Sequence, residues 1–189
     1  MKMQRRPFST EWSLLMLTIS EIFEDVLKSE GGFTDHPHDN GGPTKFGITW
    51  SEWQKWVHPR STTFVLFKKI EKEDALAIYR AWYWDPLKCQ ELPPGVAYQV
   101  FDAGLLHGIF NSARWLQLSV GVKADGHVGP KTIAATLEAD DAEVITSIHN
   151  FRMKRIKAHA DYKHFGRGWT NRLLRVKKKA LQNVRVISS

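Results

Sequence analysis

Helix punctuation, set at short intervals and never interrupted by a long alternating stretch, is what most constrains the fold of this chain. Leu15, Ile19, Ile22, Phe23 and Val26 have the spacing of an amphipathic helix over about residues 12–29. Gly31-Gly32 ends that pattern where the chain can turn cheaply. Thr49-Trp50-Ser51-Glu52 has the form of a capping box. Ala75, Ile78, Tyr79 and Trp82 mark a helix over about 71–84, closed by Asp85-Pro86. Leu92-Pro93-Pro94-Gly95 is the best internal boundary, and the helix after it, about 95–107, ends at His107-Gly108. Asn111 reads as an N-cap for 112–120, Asp125-Gly126 as a turn, and Pro130 as the first position of the next helix. Asp140 and Glu143 open a long helix over about 141–160, and a last helix covers about 168–184. Only residues 33–48, dense in Gly, Pro, Asp and Asn, leave room for a small hairpin. The fold class is mainly α. It divides into residues 1–92 and 93–189, two lobes of one compact unit.

A chain of 189 residues buries a core without covalent staples. Its single cysteine, Cys89, excludes an internal disulfide and a CxxC or Cys/His zinc site, and reads as a half-buried structural thiol. Charge is uneven. Residues 151–189 hold 12 Lys/Arg against Asp161 alone, whereas the rest holds 15 basic and 19 acidic residues. The net charge of +7 is therefore a property of the C-terminal region, which favours an anionic partner. Near the N-terminus, Lys2, Arg5 and Arg6 precede the apolar run Leu14-Leu15-Met16-Leu17. The run is too short to span a bilayer and no small-x-small cleavage site follows, so it reads as part of a structural helix.

Chemistry concentrates between Glu30 and Thr49. Glu30 follows a helix whose apolar face packs inward, so its carboxyl should lose hydration and its pKa rise, as a general acid near neutral pH requires. Asp39, nine residues on among Asn40 and two glycines, should stay solvated and ionised, able to orient or deprotonate a water. Thr44 could hold that water by its hydroxyl. Two carboxyls and a hydroxyl on one glycine-rich loop suit hydrolysis of a glycosidic bond. Taken singly, each residue has a plain structural reading: Glu30 as a helix end, Asp39 as a turn.

The segment Glu30-Gly31-Gly32-Phe33 with Asp39, Gly41-Gly42, Thr44 and Phe46-Gly47-Ile48-Thr49 resembles the signature of glycoside hydrolase family 108, the phage and prophage muramidases with a lysozyme-like fold. Later stretches agree in order: Ile78-Tyr79 with Tyr83-Trp84, Phe101-Asp102, His107-Gly108, Trp115 to Thr132, and Phe165 to Arg172. The resemblance implies cleavage of the β-1,4 bond between N-acetylmuramic acid and N-acetylglucosamine, with Glu30 on the family's catalytic glutamate. It implies an inverting reaction by analogy with phage-type lysozymes, although Thr44 lies one residue closer to the glutamate than in those enzymes. Peptidoglycan is then the partner, with no cofactor. Synthesis in the bacterial cytoplasm and holin-dependent release to the wall are implied at the same level.

Trp50, nearest the loop, is the candidate aromatic for a cleft, with Phe46 and His107 as further substrate contacts. Trp53 and Trp56 read as core. His36 and His38 resemble a metal pair without a third ligand and read as solvated loop residues. In the last helix, Trp169, Leu173, Val176, Ala180 and Val184 form an apolar stripe, and Arg172, Arg175, Lys178 and Lys179 lie largely outside it. Those four are candidates for holding the protein on an anionic envelope. Two other readings compete: a non-catalytic wall-binding protein, and a cationic nucleic-acid binder. The second leaves the acidic N-terminal half and the glycine-rich loop unexplained. A monomer is the default oligomeric state.

Overall fold

In the computed structural model the described residues are 21–24, 33–34, 43–57 and 62–184. Residues 21–24 are helical, with Ile22 and Phe23 buried, and the rest of the expected first helix lies outside the described residues. A small antiparallel sheet follows, with β1 (Phe33–Thr34), β2 (Thr44–Lys45) and β3 (Ile48–Thr49) in sequence order. The expected hairpin is thus a three-stranded meander that runs one residue further. Helices α1 (Trp50–Val57), α2 (Phe64–Lys68) and α3 (Lys72–Tyr79) come next. Beyond Pro93, α4 (Pro94–His107), α5 (Ile109–Ser119), α6 (Pro130–Glu138), α7 (Asp141–Lys157) and α8 (Tyr162–Leu181) pack on one another.

The centre is α4. Ten consecutive residues, Gly95 to Gly104, are buried, because this segment is apolar on every side apart from Gln99 and Asp102. A helix apolar all round can be stable only when neighbours cover it completely. Here α5, α7 and α8 cover it, with Leu116, Ile145, Ile148, Val176 and Ala180 in the same cluster. Each such side chain contributes about 1.5–3 kcal/mol by leaving water. The packing is close enough to require glycine: a Cβ at Gly95 would lie 2.3 Å from the Ala180 carbonyl oxygen. The N-terminal half joins this centre through rings, Phe23 meeting Phe101 edge-on at 5.0 Å and Trp84 meeting Phe101 at 5.6 Å.

Several local expectations need revision. The helix expected over 71–84 is α-helical only to Tyr79 and continues as a π-helical turn over Arg80–Trp84, closed by Asp85 N–H donating to Arg80 O at 2.9 Å. The wider turn advances the buried face, so Trp84 is buried while Trp82 stays half-buried. The short helix α2 escaped the sequence because five residues carry too little periodicity. Asn111 is not an N-cap: α5 starts at Ile109, and the Asn111 amide instead donates to the His107 carbonyl at 2.7 Å. The last helix starts six residues earlier than its expected residue 168. Gly166 lies inside it, where a Cβ would stand 2.7 Å from the Tyr162 ring. Cys89 is fully buried rather than half-buried, and burial, with Asp85 nearby, raises its thiol pKa well above the ordinary value. Trp56, expected in the core, is 38% exposed.

Candidate functional site

The sheet is short, and its geometry comes from its turn and its anchors. Phe46 and Gly47 both have positive φ, 53° and 76°, as a two-residue turn of type I′ requires. Pairing of Thr44 with Thr49 and of Lys45 with Ile48 follows from that turn. The capping box forms as the sequence predicts: Thr49 N–H donates to Glu52 Oε2 at 2.8 Å, and Glu52 N–H to Thr49 Oγ1 at 3.2 Å. The Tyr79 hydroxyl donates to the Phe46 carbonyl at 2.7 Å, tying the turn to α3. Lys45 Nζ donates to the Lys68 carbonyl at 2.6 Å, which ties the sheet to α2.

Glu30 and Asp39 lie outside the described residues, as do His36 and His38. Thr44 is half-buried in β2, opposite Thr34 of β1 and Thr49 of β3. In sequence, Asp39 falls between the paired residues Thr34 and Thr44, and Glu30 three residues before Phe33 of β1. Phe46 is half-buried with the Lys45 ammonium 5.4 Å from its ring centre. Trp50 is half-buried and packs edge-on against Phe64 at 5.5 Å and against Phe67 at 5.4 Å. Trp53 is buried and donates its indole N–H to Thr62 Oγ1 at 2.9 Å, while Trp56 meets Trp82 edge-on at 6.1 Å.

His107 belongs to a different place. It lines a cavity of about 400 Å³ with Arg155, Ile156, His159, Trp169 and Arg172, formed where α4, α7 and α8 converge. Its ring meets Trp115 edge-on at 5.1 Å, and its buried Nε2 has no hydrogen-bond partner among the described residues. Burial, reinforced by the Arg152 and Arg155 charges, lowers its pKa from 6.5 to about 4, so the imidazole is neutral at pH 7.

Beneath this cavity Asp102 is clasped by two arginines. Arg152, with no exposed side-chain surface, donates to Asp102 Oδ2, and Arg172 Nη2 donates to Asp102 Oδ1 at 3.1 Å. Burial alone would raise the carboxyl pKa; the two guanidinium groups outweigh it and hold it below the ordinary carboxylate range. Arg172 therefore turns inward, with 18% of its side chain exposed. Its charge serves the interior, not an outer basic face. Arg175 and Lys178 are exposed, and Lys179 is half-buried with its ammonium 5.9 Å from the Tyr98 ring centre. The apolar stripe behind them forms as expected, with Leu173, Val176 and Ala180 buried.

Sequence reasoning did not single out Asp102, Arg152, Arg155 or Trp169 as one cluster. The signal was present in part, since Phe101-Asp102, Trp115 and the segment ending at Arg172 each stand within a motif. What joins them is contact across 50 and 70 residues of chain. Among the described residues no group of three or more His, Cys, Asp or Glu is placed to hold a metal ion. No helix among them is long and apolar enough to cross a membrane.

Comparison with known proteins covers both regions. The profile of the family described as glycosyl hydrolase 108 matches residues 23–108. A second profile, described as a predicted peptidoglycan domain, matches residues 111–174. Among solved structures the chain is similar to SagA of Brucella abortus, at 33% identity and a TM-score of 0.79, over 89% of this chain and 97% of that one. No protein of curated function matches.

Proposed function

The chain belongs to the glycosyl hydrolase 108 family and is a glycoside hydrolase that degrades peptidoglycan, and we propose that the bond it cuts is the β-1,4 link between N-acetylmuramic acid and N-acetylglucosamine. Glu30 acts as the general acid and protonates the glycosidic oxygen as the bond to the sugar carbon breaks. Asp39 and Thr44 hold the attacking water, Asp39 accepting its proton and Thr44 fixing its position. Water attacks from the face opposite Glu30, so the configuration at the sugar carbon inverts. That geometry needs the two carboxyls about 6.5–9.5 Å apart, against about 5–5.5 Å for a covalent, retaining route.

One observation carries this reading. The family profile spans Glu30, Asp39 and Thr44 together. Consistent with it, the chain on either side of Asp39 is paired, Thr34 with Thr44 and Phe33 with Lys45. The cellular role proposed with this chemistry is that of an endolysin, made in the bacterial cytoplasm and released to the wall through a holin.

The test uses purified peptidoglycan incubated with wild type and with Glu30→Gln, followed by identification of the released ends. New reducing N-acetylmuramic acid ends from wild type alone are expected. New reducing N-acetylglucosamine ends would assign the other bond. Undiminished cleavage by Glu30→Gln would remove Glu30 from its role.

A further inference from the structure

We propose that the α5–α7–α8 face carries a groove for the carboxylate-bearing peptide arm of peptidoglycan. This rests on the peptidoglycan reading above and goes beyond it, since it names the part of the polymer that this face holds. The cavity beside His107 does not end at its rim. A second hollow of about 510 Å³, lined by Trp115, Phe151 and Lys154 among others, adjoins it. Arg155 and His159 line both hollows, so the two lie side by side and together make up a trough.

The charges along this trough are one-sided. Lys154 and Arg155 are exposed in the last turn of α7. Among the described residues no carboxylate lines either hollow. Two acidic groups close by, again among the described residues, already have partners. Asp102 lies below, buried against Arg152 and Arg172. Asp161 stands 3.8 Å from His159 Nδ1 at the exposed edge. The aromatic walls are substantial: Trp169 meets His159 edge-on at 5.2 Å, and Trp115 meets His107 at 5.1 Å. His107, whose buried Nε2 has no hydrogen-bond partner among the described residues, lines the inner hollow.

The chemistry of the polymer decides which part fits. Its sugar rings are uncharged, and their binding gains nothing from two exposed cations. The peptide arms carry the carboxylates, with methyl groups between them that suit an aromatic wall. Cationic donors spaced along an aromatic trough complement that pattern, through charge-assisted hydrogen bonds at the carboxylates and apolar contact between them.

The experiment uses the full chain with a synthetic stem tetrapeptide, the same peptide with its carboxyls amidated, neutral chitotetraose and a short DNA duplex. Binding is followed by calorimetry for wild type and for a Lys154→Gln/Arg155→Gln double variant, whose folding is checked by its thermal midpoint. Each substitution is on an exposed position. The free-acid peptide should bind, and amidation or the double variant should each weaken it about tenfold, as expected for losing a charged hydrogen-bond partner. In turnover, wild type should show a lower KM for intact sacculi than for peptide-free glycan strands, and the double variant should lose that preference. Equal binding of acid and amidated peptide, or an unchanged affinity in a folded double variant, overturns the inference. So does duplex DNA that outcompetes the peptide and depends on the same two residues. Failure of wild type to cleave either polymer would count against the hydrolase reading alone, because peptide binding is scored independently.

Discussion

The sheet at residues 33–49 and the charge cluster around Asp102 hold polar groups by opposite means. In the sheet, the cap and the turn join partners near in sequence, Thr49 with Glu52 and Lys45 with Ile48, and the ties to α2 and α3 span 23 and 33 residues. Thr44, Lys45 and Thr49 are half-buried, and the strands are two residues long. Around Asp102 the partners are 50 and 70 residues apart, and two of the three charged side chains are almost wholly buried. Short-range hydrogen bonds can position a loop for chemistry at little energetic stake. A desolvated charge cluster has much at stake, because any one charge left unpaired in a low dielectric is costly. The contrast predicts that changes in the first region alter turnover and spare the fold, whereas changes in the second unfold the molecule.

The largest effect should come from Glu30→Gln. Loss of a general acid lowers turnover by about 100- to 10,000-fold, with the thermal midpoint close to that of wild type. A large drop in midpoint would blur the contrast, since Glu30 would then be structural as well. Next comes Asp102→Asn, which removes the carboxylate that buried Arg152 donates to. Its unfolding free energy in urea should fall by about 3–5 kcal/mol, and a change within experimental scatter would show that the buried cluster tolerates imbalance. Thr49→Ala removes one half of the capping box and should cost about 1 kcal/mol. Amide exchange should quicken at residues 48–52 and stay slow in α4; faster exchange in α4 would mean the two regions unfold together.

The smallest effect is one of pH. Folded His107 has a pKa of about 4 against an ordinary 6.5, so between these values the unfolded chain binds the extra proton. Stability should therefore fall as pH drops from about 6.5 toward 4. His107→Gln should flatten that part of the profile of thermal midpoint against pH, and an unchanged slope would place the acid sensitivity elsewhere. Asp102 acts in a separate window. Its depressed pKa contributes stability that is lost only as pH falls below the ordinary carboxylate range.

What could be read from the sequence divides along the same line. The Thr49–Glu52 cap, the N-terminal Pro130 of α6 and the Asp140 cap of α7 were legible because each is a local pattern with a local cause. The α4 boundary at Pro93-Pro94 was legible for the same reason. The π-helical turn was not, since Ala75, Ile78, Tyr79 and Trp82 fit ordinary helical spacing, and Trp84 is buried only after the ladder widens. The early start of α8 was not legible either, since a close ring contact at Gly166, invisible in sequence, is what fits glycine inside that helix. Arg172 misled in another way. Helical spacing placed it on the outer face, and only the presence of Asp102 on a distant helix turns it inward. The Glu30, Asp39 and Thr44 constellation was the clearest chemical signal in the chain, yet it could be recognised only as a set of residues at fixed spacing.

The clasp on Asp102 also bears on how the molecule is made. Synthesis runs from the N-terminus, so the helix that forms the centre emerges 70 residues before Arg172. Through that interval its carboxylate lacks one guanidinium, and the surfaces later covered by Val176 and Ala180 stay open to water. Gly95 N–H, which donates to the Asn183 carbonyl at 3.1 Å, has no such acceptor until the last turn has been added. Contacts of this range are formed late and slowly. A nascent chain halted before α8 would therefore expose α4 and be open to proteases, and the enzyme would gain its native resistance to digestion only once α8 and Asn183 have been added.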